Sequence, residues 1–276
     1  VNINRIAILG SGSMGTAILS GLLASGFEAS KVTITTKSSE SAEKLADELG
    51  VNAIALDEQA TANQDAVVGA DVVLVAVKPV YVVEVLKEAA QKLHSDSLVI
   101  SVAAGITTAS MESVVPESVA VIRSMPNTPA IVGRAVTGIS TGSRVSEAQL
   151  ETALDLFETV GRVVVLPEEQ IDALSTISGS GPAYVFYLIE QLTLAAQEMG
   201  FGEGVAAMLV EETFAGATEL LSASNQSPEA LRKQVTSPNG TTMQAIAVME
   251  KAELAKIFTK ATEAALARAK EIAAGK

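Results

Sequence analysis

Short apolar runs of a strand's length alternate with stretches in which apolar residues recur every three or four positions, and this alternation fills most of residues 1–166. The runs predict strands at Ile6–Gly10, Val32–Thr36, Val72–Val77, Leu98–Val102 and Val119–Met125, and the periodic stretches predict helices such as Met14–Ser25, Ser41–Leu49 and Val82–Lys92. Parallel strands need long crossovers, and helices between them supply these, so the pattern implies an α/β domain with a doubly wound, mostly parallel sheet. A further pair of apolar runs, "AVTGIST" and "GRVVVLP", flanks a helical pattern at Ser146–Val160 and is expected to extend the sheet edge. After Pro167 strand-like runs stop. Helical patterns then cover roughly 168–178, 182–200, 203–224, 228–235, 241–250 and 252–274, so residues 167–276 form an expected all-α domain. The helices at 182–200 and 203–224 are apolar on more than one face, which suits a core or an oligomer interface, and a dimer is expected over a monomeric bundle.

The bulk properties narrow the classes. The longest apolar run, "VVLVAV" at 72–77, is too short to span a bilayer, and the chain enters a strand at "RIAILGSG" without a signal-peptide pattern, so a cytoplasmic protein with no membrane partner is expected. Lys and Arg number 19 against 32 Asp and Glu, a net charge of −13 that argues against general affinity for nucleic acid. With no cysteine, thiolate nucleophiles and sulfur-ligated metals are excluded. The single histidine, His94 in "QKLHSDS", reads as a solvated loop residue; no metal site is expected, and no Ser-His-Asp triad unless His94 serves it.

Chemistry first becomes specific at "AILGSGSMGTAILSGLL". Gly10, Gly12 and Gly15 stand in a G-x-G-x-x-G pattern between a strand and a helix, with Ser11, Ser13 and Met14 between them. Glycines there allow a tight turn, backbone approach to a pyrophosphate and close helix–strand packing, while the helix start faces the anion. In that context the pattern implies a Rossmann-type dinucleotide site. An NAD-preferring site normally carries an acidic residue at the end of the second strand, to accept from the ribose 2′-hydroxyl. Here the strand ends in Thr35, Thr36, Lys37 and Ser38, whose hydroxyls and cation suit a 2′-phosphate. NADP(H) is therefore the expected cofactor, with NAD(H) as a second possibility; the alternative is a solvated strand end.

Three more segments end strands on the edge that would face a cofactor: "VAVKP" (75–79), "SVAAG" (101–105) and "RSMPNTP" (123–129). Together with "SGSGPAY" (178–184) and "SPNGTT" (237–242) they make the sequence resemble the pyrroline-5-carboxylate reductase family, in order along essentially the whole chain. The resemblance implies hydride transfer from NAD(P)H to the C=N bond of Δ1-pyrroline-5-carboxylate, giving L-proline. It also implies a helical domain interlocked with a second subunit, a homodimer or multiple of dimers, and an active site shared between the two chains. By the same resemblance, Gly10–Gly15 hold the pyrophosphate and Thr35, Thr36 and Lys37 lie by the adenosine ribose. Asn63 falls on the adenosine side, while Ala76, Val77, Lys78, Pro79, Val102, Ala103 and Ala104 line the cofactor toward its nicotinamide. Ser237, Gly240, Thr241 and Thr242, with Ala104, would meet the substrate, and Thr242 is the expected partner of the reacting nitrogen. Asn239 stands where the family pattern carries a glycine; asparagine tolerates left-handed backbone, so the turn is expected to persist.

The residues suit such a reaction. A protonated cyclic imine is already electrophilic and needs no strong acid, and a carboxylate is met by the N–H groups of a helix start. On residue pattern alone, "SPNGTT" reads equally as a substrate loop or as a plain helix cap. "SGSGPAY" is either punctuation or a close approach to the nicotinamide, a positioning role. Two other kinds of protein share this layout. A β-hydroxyacid dehydrogenase resembles this layout but uses a lysine early in its second domain, and this chain has no lysine between Lys92 and Lys233. A non-catalytic NADP(H)-sensing protein would have no use for "SPNGTT" and "RSMPNTP" together.

Overall fold

The computed structural model describes residues 3–273. Among the described residues eight strands form one sheet: β1 (Ile6–Leu9), β2 (Val32–Thr36), β3 (Asn52–Ala55), β4 (Val72–Val75), β5 (Leu98–Ser101), β6 (Ala120–Met125), β7 (Ala135–Thr141) and β8 (Gly161–Val165). Their spatial order is β3-β2-β1-β4-β5-β6-β7-β8. The first six are parallel; β7 runs antiparallel to β6, and β8 parallel to β7. "AVTGIST" and "GRVVVLP" thus do extend the sheet. The order reverses between β1 and β4, the switch point at which doubly wound sheets open a crevice.

Alternate residues of each strand feed opposite faces. Ile6 and Ile8 join Ile18, Leu22, Ile34, Leu74, Ile100 and Phe157 on one side, while Ala7 and Leu9 join Val73, Val75, Leu86, Val99 and Val121 on the other. Helices cover both faces, so these strands carry apolar residues without polar alternation. Helix α1 (Ser13–Ala24) follows β1, α2 (Ser39–Leu49) follows β2, and α3 (Ala62–Ala66) precedes β4. Helices α4 (Val82–Ala89), α5 (Thr108–Glu112) and α6 (Glu147–Glu158) follow β4, β5 and β7. A capping box of Ser146 and Gln149 starts α6.

β1, β4 and β5 end one or two residues earlier than the apolar runs predict. Gly10 has φ +86°, outside the extended range of a regular strand, and Ala76–Val77 and Val102 leave the sheet to begin loops. β3 is absent from the sequence-based expectation; only Ala55 in it is buried, so its pattern is faint.

After β8 come α7 (Glu168–Leu174), a π-helical turn at Ser175–Gly179, α8 (Gly181–Glu198), α9 (Glu203–Ala223), α10 (Pro228–Gln234), α11 (Thr241–Lys251) and α12 (Leu254–Ala273). Residue 274, included in the expected last helix, lies outside the described residues. One compact unit comprises residues to Ser180 together with the stretch from Ala265, and a second comprises Gly181–Ala264. In the first, Gly105 (φ +75°) leaves room for α12, since a Cβ there would lie 3.2 Å from Ala273 Cα. In the second, Ala206 and Val210 are the only buried apolar side chains among the described residues, while Phe186, Tyr187, Leu220, Val248, Ile257 and Phe258 are exposed.

Candidate active site

The glycine loop between β1 and α1 shows a separate cause for each glycine. Gly10 has left-handed backbone, and a Cβ on it would lie 2.6 Å from Val77 Cγ1. Gly15 is where α1 crosses the sheet: a Cβ would stand 3.0 Å from the Gly10 carbonyl oxygen and 3.2 Å from Ala76 Cβ. Nothing lies within 4 Å of a Cβ built on Gly12, the N-cap of α1. A turn, a close packing and an open approach to a helix start are the three requirements of a pyrophosphate cradle. Ser13 is exposed and Met14 half-buried beside it, and Ser11 Oγ is buried without a partner among the described residues.

Thr35 lies behind this loop, with no exposed surface. Its Oγ1 accepts from the Gly10 N–H (3.0 Å) and donates to Asn63 Oδ1 (2.9 Å), and its carbonyl accepts from the Ser11 N–H (2.9 Å). Asn63 is itself buried on α3. The Thr36 hydroxyl is also inward, donating to the Ser38 carbonyl at 2.8 Å, whereas Lys37 projects into solvent. The strand end thus divides its residues: Thr35 and Asn63 shape the loop from behind, and Lys37 is free to face a ligand.

A groove of about 580 Å³ follows the carboxyl ends of β2, β1 and β4, lined by Gly10–Gly12, Thr36, Lys37, Asn63 and Ala76–Lys78. Ser41 on α2, Leu56 in the turn after β3, Tyr81 in a 3₁₀ turn and Glu84, Val85 and Glu88 on α4 complete it; nothing in their spacing marks them in the sequence. Pro79 opens a short 3₁₀ turn after Lys78. Beyond β4, Val102, Ala103 and Ala104 follow β5 with side chains no bulkier than valine, Ala103 buried with its N–H donating to Ser101 Oγ (3.2 Å).

The other expected residues belong to the second compact unit. The segment Ser237–Gly240 is a β-turn closed by the Gly240 N–H donating to the Ser237 carbonyl at 3.0 Å. Pro238 at its second position and Asn239 with φ +60° at its third give the pattern of a type II turn, which accepts glycine or asparagine there. Gly240 caps α11 without any side-chain hydrogen bond, so the first-turn N–H groups, Thr241 and Thr242 among them, have no acceptor inside the helix. A Cβ on Gly240 would lie 2.5 Å from Ser237 Oγ, so the glycine makes room for that hydroxyl over the helix start. Thr242 is half-buried; Ser237 and Thr241 are exposed. Among the described residues no cluster of His, Cys, Asp or Glu has metal-binding geometry, and no helix is long and apolar enough to cross a membrane.

A switch-point crevice, a glycine cradle and a groove along the carboxyl edge define the class of Rossmann-fold NAD(P)-dependent oxidoreductases. Residues 168–272 match the family model described as pyrroline-5-carboxylate reductase dimerisation, and residues 5–105 the model described as NADP oxidoreductase, coenzyme F420-dependent. The chain is 37% identical to pyrroline-5-carboxylate reductase of Corynebacterium melassecola, covering 97% of this chain and 98% of that protein. It is 34% identical to the Escherichia coli K12 protein of the same name over 94% and 96% of the two chains. A solved pyrroline-5-carboxylate reductase of Coxiella burnetii superposes with a TM-score of 0.91, at 36% identity and 98% coverage of both chains. The Plasmodium falciparum pyrroline carboxylate reductase, solved with NADP bound, gives 0.84 at 26% identity, covering 99% and 98%. The chain belongs to the pyrroline-5-carboxylate reductase family.

Proposed function

We propose that this chain transfers a hydride from a reduced nicotinamide cofactor, NADPH in preference to NADH, to the C=N carbon of Δ1-pyrroline-5-carboxylate, forming L-proline. Residues 1–166 serve the cofactor, and residues 167–276 serve substrate and subunit association. The observation that carries this reading is the start of α11, a neutral site made of turn, glycine cap and hydroxyls. Its first-turn amides and the Ser237 hydroxyl suit a carboxylate. Thr242, whose N–H is one of those amides, offers its hydroxyl as hydrogen-bond partner for the ring nitrogen. The nitrogen arrives protonated, so hydride addition at carbon leaves a neutral amine and the chain need supply no strong acid.

The cofactor supplies the hydride; the chain's part is to bind, orient and exclude water. Gly10–Gly15 would hold the pyrophosphate, with Thr35 and Asn63 fixing the loop from behind. Lys37 would meet the 2′-phosphate. Ala76–Pro79 and Val102–Ala104 would line the path to the nicotinamide, and the small side chain of Ala104 leaves space for the substrate ring. A cytoplasmic setting and an assembly built from dimers belong to the same proposal, tested by cell fractionation and by analytical ultracentrifugation. For the activity itself, purified protein is mixed with NADPH and pyrroline-5-carboxylate and the reduced-nicotinamide absorbance followed. Absence of substrate-dependent loss overturns the reading.

A further inference from the structure

Three alternate residues of β6 and its continuation, Arg123, Met125 and Asn127, are all joined to the segment 168–179. The buried Arg123 guanidinium pairs with Asp172, and its Nη1 lies 3.7 Å from Glu168 Oε1. Glu168 in turn accepts from the Thr108 N–H and hydroxyl, each at 2.8 Å. Met125 Cε lies 3.3 Å from where a Cβ on Gly179 would stand. The buried Asn127 donates from Nδ2 to the Ser178 carbonyl (2.9 Å), and its Oδ1 accepts from the Val136 N–H (2.8 Å).

The stretch so held is the π turn, closed by the Ser180 N–H donating to the Ser175 carbonyl at 2.9 Å. A π turn takes one residue more than an α turn and breaks the regular ladder, so its backbone groups look for partners elsewhere. The Asn127 amide is such a partner. The turn's place in the fold is also specific. β6 neighbours β5, and Ser124 Oγ donates to the Ser101 carbonyl (2.8 Å) where the Val102–Ala104 loop leaves the sheet. Adjacent strands are about 4.8 Å apart, so the end of β6 is the next position along the edge after the nicotinamide-side loop.

We infer that Asn127 is a positioning residue for hydride transfer. Its side-chain amide fixes the π turn as a wall beside the nicotinamide, and the Arg123–Asp172–Glu168 cluster holds the helix that carries that turn. This rests on the reductase reading, and wild-type protein assayed alongside separates the two: an inactive wild type defeats the reading, whereas the inference is decided by the ratio of variant to wild type. Asn127→Asp keeps the acceptor for Val136 and replaces the donor to Ser178 with an oxygen that repels its carbonyl. The expected result is a kcat lowered roughly ten- to a hundredfold, as for a misplacement of about an ångström, with the NADPH Kd within about twofold. Unchanged kcat, or kcat and NADPH binding lost together in step with Tm, overturns it. If that variant does not fold, Arg123→Lys decides. It keeps the charge and loses the fork, and lower kcat with NADPH affinity retained is expected, while an unaltered kcat overturns the inference.

Discussion

Replacing Thr35 by valine removes one hydroxyl and almost no volume, so its effect isolates two hydrogen bonds. The side chain has no exposed surface, and its oxygen joins the Gly10 N–H at 3.0 Å to Asn63 Oδ1 at 2.9 Å. In Thr35→Val the Asn63 oxygen, buried, loses its donor, which costs about 1–3 kcal/mol. Gly10 is only part-buried, so water replaces some of what its N–H loses, and its share is nearer 0.5–1 kcal/mol by rough count. A stability loss of about 2–3 kcal/mol is expected in urea denaturation followed by far-UV circular dichroism. The loosened Gly10–Gly12 loop should also raise the NADPH Kd about tenfold, equivalent to about 1.4 kcal/mol. The chain has no tryptophan, so binding is read directly from the cofactor's own fluorescence. Thr35→Ser keeps the hydroxyl and should recover most of both losses. Two results refute the reasoning: Thr35→Val matching wild type in both assays, or Thr35→Ser being as damaging as Thr35→Val.

Other substitutions probe separate parts of the proposal. Thr242→Ala should lower kcat by about a hundred- to a thousandfold, the scale of one well-placed hydrogen-bonding group, while NADPH affinity stays near wild type; equal losses would mark Thr242 as a capping residue. Lys37→Glu should shift preference from NADPH toward NADH, and an unchanged ratio of kcat/KM values would remove Lys37 from the 2′-phosphate site. Thr36 is left out of that test because its hydroxyl is turned inward to the Ser38 carbonyl. Asn239→Ala should cost the turn about 1 kcal/mol and raise the substrate KM, whereas Asn239→Gly should preserve both; equal behaviour of the two would show that the positive φ does not govern the loop.

The parts of this fold set by local order were readable in advance. Apolar runs between periodic stretches gave the strands of the sheet apart from β3, and the glycine spacing between β1 and α1 gave the cradle. Asn239 was readable for the same reason, since a Pro-Asn pair constrains its own turn. What escaped depends on residues distant in sequence. β3 sits at the sheet edge with one buried residue, too weak a pattern to register. The π turn follows α7 with no break in apolar spacing, and the Asn127 amide that meets its Ser178 carbonyl stands 51 positions away in the chain. Thr35 shows the limit for the candidate site. A threonine at a strand end has the same sequence signature whether its hydroxyl meets a ribose or the loop behind it, and the Asn63 partner that decides the matter is 28 residues on.

The second unit, with two buried apolar side chains between residues 181 and 264 and aromatic rings on its outside, bears on how this protein survives dilution. A segment that cannot complete its own interior borrows one from another copy, so its folding is a bimolecular event and its stability rises with the logarithm of protein concentration. The same enzyme would then have a different melting temperature at each expression level. At catalytic, nanomolar concentrations in a cuvette, loss of activity on standing would measure subunit separation before any chemistry of the active site.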